Sequence, residues 1–185
     1  VMNYSDVTPI SLNNVVVDLG SGHALGVAGL SNTLQLGNMS LNAQAAGYAH
    51  IINGTSTQNN VLSNVNATGA TFGGVAAATA TLAQQFTIED KVFHAIDASG
   101  LGFVRVKNGD VFVTANSFVP SVNTPSIQRG INAAANGDIV NVNDGSYTEA
   151  VSVNKANITL RSANGNGVTI IENPNVGSET AGVSV

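Results

Sequence analysis

The chain has 185 residues, a mass of 18.7 kDa, a net charge of −5 and no cysteine, and only 9% of its residues are charged although 43% are hydrophobic. No Lys or Arg precedes Lys91 and no basic cluster occurs, which argues against a nucleic-acid partner or an anionic membrane, because both are bound through Lys and Arg. The absence of cysteine excludes disulfides and thiolate metal sites, and the absence of a run of about 18 apolar residues excludes a membrane-spanning helix.

Asn, Ser, Thr and Gly take the place of the missing charged residues. An ordinary domain carries about a quarter of charged residues, whereas a disordered chain would lack the many Val and Ile residues found here. The composition therefore predicts a folded, β-rich protein with a polar but uncharged surface. The first residues do not resemble a signal peptide, so we expect any export signal to lie outside this sequence.

Residues 1–72 are predicted to form a first block of short strands. Gly and Asn separate apolar runs about ten residues apart, a pattern typical of many short strands with tight turns. This spacing suits a sandwich or a solenoid. The excess of Asn, Ser and Thr favours the solenoid, because these side chains can stack in register between coils about 4.8 Å apart. The apolar runs are residues 15–17, 34–36, 50–52, 61–62 and 70–72.

Residues 73–124 are predicted to form a connector made of helices and a hairpin. Residues 75–86 are rich in Ala and contain no Gly or Pro, which favours a helix. A second helix is predicted over residues 87–97, with Thr87 and Asp90 as its capping box. The alternating runs 103–107 and 111–114 flank Asn108-Gly109, a strong signal for a β-hairpin.

Residues 125–185 are predicted to begin a second block, which opens with a helix. The segment from Ser126 to Asn136 places Ile127, Ile131 and Ala134 on one face, and Gly137 is its predicted stop. We expect Ile127 and Ile131 to point into the strands that follow, so that the helix caps them. The predicted strands are residues 139–142, 151–153, 158–160 and 168–171.

A family resemblance rests on Ser126 to Val142, on the element Gly145-Ser-Tyr-Thr-Glu149 and on residues 158–161. These residues resemble the opening of a pectate-lyase-like right-handed parallel β-helix, in which an amphipathic helix caps the first coil. The resemblance implies a mainly β fold, a solenoid of this kind with short capping and linker helices. It does not imply one function, since the superfamily contains lyases, hydrolases, esterases, tailspikes and adhesins.

The middle of the chain, from Ile88 through Thr114, resembles connectors in very large repetitive bacterial surface proteins. This second resemblance implies a joint between two β-helical blocks, the first ending near Phe72 and the second starting near Ser126.

Catalysis by a polysaccharide lyase or hydrolase of this fold needs clustered carboxylates, which hold Ca²⁺ or act as acid and base. Asp138, Asp144 and Glu149 are the nearest approach to a cluster, but a structural role is available for each. Asp138 follows the helix stop, Asp144-Gly145 is a turn pair, and Glu149 matches the structural motif of the resembled family. We therefore expect no catalytic, cofactor or metal site, with a site made of these three acids as the less favoured alternative.

The histidines are weaker candidates for metal ligands, and the serines are weaker candidates for a catalytic nucleophile. His23, His50 and His94 occur singly, without a partner at metal-ligand spacing, and His94 is expected on the polar side of its helix. Ser21 lies between two glycines but lacks the strand–turn–helix context of a catalytic serine.

Two surface features of the sequence could bind or carry sugars. Arg105 and Lys107 with Phe103 and Phe112 suggest a sugar-stacking surface, but a half-buried hairpin with its polar residues outward is the favoured interpretation. Sequons for Asn glycosylation matter only where the source glycosylates asparagine. They occur at Asn3, Asn38, Asn53, Asn66 and Asn157.

The sequence thus predicts a non-catalytic structural or adhesive segment of an exported protein, extracellular or at the cell surface. One alternative is a β-helix domain that binds or cleaves polysaccharide. Another is a self-assembling filament subunit, since Val1 to Ile10 is strand-compatible and Gly182 to Val185 offers an uncovered edge. The expected partners are further coils of the same chain or other copies of it, with a glycan as a further candidate.

Overall fold

A computed structural model describes residues 10–30, 32–45, 47–54, 62–116, 126–174 and 181–185. In these ranges the protein is mainly β, with parallel sheets and two short α-helices, which confirms the predicted fold class at that level. The strands up to residue 105 are β1 (Ser11–Asn13), β2 (Val16–Leu19), β3 (Leu25–Val27), β4 (Leu34–Ala43), β5 (Ile51–Asn53), β6 (Val65–Phe72), β7 (Val75–Ala76), β8 (Val92–Phe93) and β9 (Val104–Arg105).

These strands form two sheets. In the first sheet β1 and β2 both pair with the long β4, β4 pairs with β6, and β6 pairs with β9. In the second sheet β3, β5 and β8 lie side by side. All of these pairs are parallel, whereas the short β7 pairs antiparallel with β6. Parallel pairing sets apolar residues in register, so that Leu12 lies beside Leu36 and Leu25 beside Ile51.

Most of the strands predicted for the first block are confirmed. Four of the five apolar runs overlap β2, β4, β5 and β6. In the remaining run Val61 lies outside the described residues, and Leu62 is exposed and belongs to no strand.

Uncharged polar side chains join neighbouring strands on the outer face of the first sheet, as the composition predicted. Asn38 Nδ2 donates to Asn14 Oδ1 at 2.8 Å across 24 residues of sequence. Asn66 Nδ2 donates to Gln35 Oε1 at 2.8 Å across 31 residues. The Asn66–Gln35 bond joins two residues that are paired in register on β6 and β4, and the Asn38–Asn14 bond joins β4 to the bend between β1 and β2. Both bonds follow the direction of the backbone hydrogen bonds and reinforce the parallel register.

The later strands form three smaller parallel sheets. Their bounds are β10 (Asp110–Val113), β11 (Ile139–Val142), β12 (Gly145–Thr148), β13 (Val151–Ser152), β14 (Thr159–Ser162), β15 (Thr169–Glu172) and β16 (Val183–Ser184). β10, β11 and β14 make one sheet, β12 pairs with β15, and β13 pairs with β16. The four strands predicted after the helix at Ser126 to Asn136 correspond to β11, β13, β14 and β15, and they are confirmed within a residue or two at each end.

The hairpin predicted around Asn108-Gly109 is wrong. β9 pairs with β6 and β10 pairs with β11, so the two strands belong to different sheets. Gly109 does adopt the positive φ of a turn, 77°. β10 is nevertheless buried on both faces, with Val111 and Val113 in one apolar cluster and Phe112 in another. This burial outweighs the local preference for a hairpin.

The helix prediction for residues 75–97 needs correction. A single helix, α1 (Leu82–Glu89), follows a 3₁₀ turn at Ala77–Thr79, and its capping box is Thr81 with Gln84, not Thr87 with Asp90. Asp90 is instead the C-cap. Phe86 of α1 packs edge-on against Phe112 with ring centroids 5.8 Å apart, so tertiary packing positions the helix.

The second helix, α2 (Ile127–Ala133), is confirmed, with Ser126 as its N-cap. Ile127 and Ile131 are fully buried, in one cluster with residues of β10 and β11. The helix ends before the predicted stop, because Ala134 is already extended at ψ 144°. Gly137, with φ 88°, serves the turn that leads into β11.

Two buried apolar clusters fill the interior. One draws its fully buried residues from positions 27–112 and the other from positions 96–151, so both include residues of the predicted connector. The division of the chain at residues 72 and 125 stays a prediction. Within the described part of the chain, no helix has the length and apolar character needed to cross a membrane.

Candidate functional site

The most polar part of the interior lies where α1 ends and the chain turns toward β9. Glu89 and His94 are both buried there, with Glu89 Oε1 2.6 Å from His94 Nε2. Asp97 Oδ2 accepts the backbone N–H of His94 at 2.9 Å. Asp90 lies next to Glu89, with a carboxylate oxygen 2.6 Å from the Thr114 hydroxyl. Because enzymes often use a histidine beside carboxylates as a base, the protonation of His94 decides what this cluster can do.

The hydrogen bonds of His94 assign its protonation state. Nδ1 accepts the N–H of Val104 at 3.0 Å, so Nδ1 carries no proton and the ring is the neutral tautomer whose Nε2–H donates to Glu89. Burial raises the pKa of Glu89, while His94 opposes this rise. Both ring nitrogens of His94 are engaged, which leaves no lone pair for a substrate proton or a metal ion.

The prediction that His94 lies on the polar side of a helix is wrong. α1 ends at Glu89, and His94 lies in the turns that follow with none of its surface exposed. The ring of Phe103 stacks on the imidazole at 5.3 Å. One signal for this cluster was present in the sequence: Glu89, Asp90 and Asp97 flank His94 in a chain that has few charged residues elsewhere.

His23 and His50 make the same type of bond. Nδ1 of His23 accepts the N–H of Ala49 at 3.0 Å, and Nδ1 of His50 accepts the N–H of Ala43 at 3.2 Å. Burial, assisted by Lys91, lowers the pKa of His50 to about 4, so this ring is neutral at physiological pH. In all three histidines of the chain, Nδ1 therefore satisfies a backbone N–H group.

The three acids singled out in the sequence have separate sets of partners. Asp138 forms an ion pair with Arg105 at 2.8 Å and accepts the N–H of Ala135 at 2.8 Å. Asp144 accepts two hydrogen bonds from Asn164, both at 3.1 Å.

Glu149 caps the N-terminus of α2 from another element. Its carboxylate accepts the Ser126 hydroxyl at 2.8 Å and the backbone N–H groups of Ile127 at 2.6 Å and Gln128 at 3.2 Å. A carboxylate at a helix N-terminus is favourable, because it satisfies free N–H groups and faces the positive end of the helix dipole. The role of Glu149 is thus to fix α2 to the start of β13.

Neither a metal site nor a catalytic serine is found among the other candidate residues that the structure describes. Among the described residues, no three His, Cys, Asp or Glu side chains lie together in a way that could hold a metal ion. Ser21 is exposed in the bend after β2 and is followed by strand β3, not by a helix.

The four residues considered for a sugar-stacking surface do not lie together on one surface. Phe112 is buried, and Lys107 lies 3.7 Å from Asp110. Phe103 is half-buried with the guanidinium of Arg105 over its ring at 5.3 Å. Only Phe103 and Arg105, of these four described residues, line an open groove.

This groove lies between the outer face of the first sheet and α2. Its floor is a row of three in-register side chains, Gln35 on β4, Asn66 on β6 and Arg105 on β9. The wall opposite is formed by Asn132 and Ala133, and this part encloses about 450 Å³. A second part of about 440 Å³ continues beside the turns at residues 98–102.

The sequons differ in their surroundings. Asn53 is fully buried, and its Nδ2 donates to the carbonyl oxygens of Ser63 and Gly102 at 2.5 and 2.9 Å, so it cannot carry a glycan in the folded protein. Asn38 and Asn157 have positive φ angles of 52° and 59° at the surface. Asn66 is half-buried in the groove, and Asn3 lies outside the described residues.

Comparison of the chain with models of protein families, with curated proteins and with solved structures gave no match.

Proposed function

We propose that this chain is a non-catalytic structural or adhesive segment of an exported cell-surface protein, folded as a right-handed parallel β-helix. One observation carries the proposal: among the described residues, the histidines and the candidate carboxylates form hydrogen bonds or ion pairs that hold the fold together. The three histidines accept backbone N–H groups, and Glu149 caps a helix. Asp138 pairs with Arg105.

The order of strand pairing supports the β-helix. The chain passes through β1, β2 and β3, and then β4 pairs with β1 and β2 while β5 pairs with β3. Later it passes through β11, β12 and β13, and β14, β15 and β16 then pair with them in the same order. In each of these two stretches the chain returns to its sheets in a fixed order and in parallel, which is expected of a solenoid. We call each such passage a coil. The short antiparallel β7 and the change of sheet between β9 and β10 lie between the two stretches.

The surface composition supports an exported, structural role. Bonds between coils use Asn and Gln amides, which keep their hydrogen bonds across a wide range of pH and salt. A chain without cysteine must gain its stability from such bonds and from packing. The proposed location of the protein is therefore extracellular or at the cell surface.

The test for catalysis is incubation with a panel of neutral and acidic glycans, with and without Ca²⁺. New reducing ends and unsaturated products are measured over time. We expect no release above that of heat-denatured protein. Release at catalytic rates that is lost in Asp138→Asn or Glu149→Gln, with the fold retained by circular dichroism, would contradict the proposal.

A second candidate function is binding of a polysaccharide, and the groove favours it. The row of Gln35, Asn66 and Arg105 beside Phe103 offers amide and guanidinium groups next to an aromatic ring. The glycan panel, read by binding, distinguishes the two candidates. Binding that is lost in Gln35→Ala but kept in Gln44→Ala would support it, since Gln44 makes a comparable exposed amide bond to Asp18 away from the groove.

A further inference from the structure

Five copies of the dipeptide Asn-Gly occur in the chain, and all five lie in its described part. At Asn-Gly a polypeptide readily loses a side-chain amide, because glycine has no side chain to shield its nitrogen and its backbone bends easily. Since the dipeptide is the same each time, differences in reactivity between the copies depend on the fold. The copies are Asn53-Gly54, Asn108-Gly109, Asn136-Gly137, Asn164-Gly165 and Asn166-Gly167.

The loss of the amide begins with a bond between the glycine nitrogen and the asparagine side chain. The nitrogen gives up its proton and attacks Cγ of the asparagine, the Cγ–Nδ2 bond breaks, and ammonia leaves with that proton. Water then opens the resulting succinimide ring at one of its carbonyl carbons, which gives aspartate or isoaspartate. One amide and one water thus become one carboxylate and ammonium, and nothing is oxidised or reduced. The glycine N–H and the asparagine amide must both be free for this reaction.

The copy at the end of β5 is buried and hydrogen-bonded. Asn53 has none of its surface exposed, and its Nδ2 donates to the carbonyl oxygens of Ser63 and Gly102. The N–H of Gly54 donates to the carbonyl of Val27 at 2.9 Å. Both reacting groups are engaged, so reaction here requires this part of the second sheet to open.

The copy after β14 is exposed but also hydrogen-bonded. Nδ2 of Asn164 donates to both carboxylate oxygens of Asp144 at 3.1 Å. The N–H of Gly165 donates to Ser162 Oγ at 2.8 Å. These bonds must break before the nitrogen of Gly165 can attack, although water reaches the site freely.

The other three copies lie in open turns. Asn108, Asn136 and Asn166 are exposed, as are the glycines that follow them, and a side chain added at any of these glycines would meet nothing within 4 Å. Within the described part of the chain, neither the N–H groups of these glycines nor the three asparagine amides have a hydrogen-bond partner. In these turns nothing holds the two reacting groups apart.

We propose that the folded protein undergoes deamidation at Asn108, Asn136 and Asn166 and is protected from it at Asn53 and Asn164. This inference goes beyond the proposed function and does not depend on it. Each event adds one negative charge to a chain whose net charge is −5. The isoaspartate form also lengthens the main chain by one methylene group.

The experiment incubates the 185-residue chain at mildly alkaline pH, where the glycine nitrogen loses its proton more readily, and follows each copy by peptide mapping with mass spectrometry. In the folded protein Asn166 is expected to react at least about tenfold faster than Asn164, because several hydrogen bonds must first break at Asn164. Asn53 is expected to react at least about 100-fold more slowly than Asn108, because it requires local unfolding. In denaturant the five copies should react at similar rates, which identifies the fold as the cause.

Substitutions at the partners of the Asn164 copy test the role of its hydrogen bonds. Asp144→Ala together with Ser162→Ala removes both acceptors, so the rate at Asn164 is expected to rise toward that at Asn166, while the rate at Asn108 is unchanged. Asp144→Asn together with Ser162→Thr is the matched control, because it keeps an oxygen acceptor at each position. Circular dichroism checks the fold of both variants, and the comparison of folded with denatured wild type decides the question if either variant unfolds.

Three results would overturn the proposal. One is equal reaction at Asn164 and Asn166 in the folded wild type. Another is no reaction at the three exposed copies under conditions in which the denatured chain reacts. The third is unchanged, slow reaction at Asn164 in the folded variant that lacks both acceptors.

Discussion

The strands of residues 10–72 and those of residues 126–174 are paired alike but joined by different side chains. In the first region, whose only charged residue is Asp18, the bonds come from amides such as Asn14 with Asn38 and from neutral histidines. In the second region charged groups take this role. Arg161 donates to Asn141 at 3.1 Å and Lys155 to the carbonyl of Ala134 at 2.6 Å. The comparison teaches that parallel register does not depend on one chemistry, and that the two regions should respond differently to pH and salt.

The largest effect on stability is expected in the apolar interior, because both regions bury apolar side chains there. Ile131 is fully buried against β10 and β11, and Ile131→Asp would place an unpaired charge there. We expect the free energy of unfolding to fall by about 3–5 kcal/mol. Leu41→Asp should cost as much in the first region. Chemical denaturation measures both, with the exposed Ile170→Asp as a control that changes stability by less than about 0.5 kcal/mol.

Acid is expected to weaken the first region through His50. The pKa of His50 is lowered in the folded protein from 6.5 to about 4, so the unfolded chain binds the proton more tightly. The stabilisation is fully present above pH 6.5 and is lost as the pH falls toward 4, by about 3 kcal/mol in total. The measurement is the free energy of unfolding against pH. His50→Gln should flatten the slope between pH 6.5 and 4, whereas His23→Gln, at an exposed position, should retain it.

A carboxylate cap is expected to matter in the second region. Glu149→Ala removes three hydrogen bonds from the start of α2, at a cost of about 1–2 kcal/mol. Glu172→Ala is the matched control, because Glu172 is exposed and lies 3.4 Å from its partner Thr148. Thermal unfolding of both variants compares the two acids. Equal destabilisation would mean that Glu149 does not hold the helix.

The smallest effect is a difference in salt dependence between an amide bond within the first region and the ion pair that joins Arg105, on β9, to Asp138 of the second region. Double-mutant cycles on Gln35 with Asn66 and on Arg105 with Asp138 should each give a coupling of about 0.5–1 kcal/mol. The coupling of the amide pair should be unchanged at about 1 M salt, while that of the ion pair should fall. A salt-dependent amide pair would remove this difference.

The sequence predicted what depends on local pattern. Alternation and turn residues located most strands, and the Ser126 cap with Ile127 and Ile131 located α2 and its buried face. The polar composition predicted hydrogen bonds between neighbouring strands, of which Gln35 with Asn66 is an example.

What the sequence could not predict depends on contacts between distant residues. Asn108-Gly109 has the local signature of a hairpin, but Phe112 finds its partner in Phe86 of α1, which places the strand in another sheet. The position predicted for His94, on the polar side of a helix, was wrong for the same reason. His94 accepts the N–H of Val104, and this contact requires β9 to be in place. The functional prediction stays a proposal. The sequence does not show which polar side chains have structural roles, because these roles depend on contacts that exist only in the folded chain.

The most direct test of the parallel, in-register stacking uses the absence of native cysteine. Gln35 is in register with Asn66, and Ser40 is in register with Thr71. Cysteine pairs at Gln35 with Asn66 and at Ser40 with Thr71 should cross-link rapidly with a short thiol-specific reagent, because neighbouring strands lie about 4.8 Å apart. The exchanged pairs, Gln35 with Thr71 and Ser40 with Asn66, should not cross-link. Equal reaction of matched and exchanged pairs, or reaction of the exchanged pairs alone, would contradict the account.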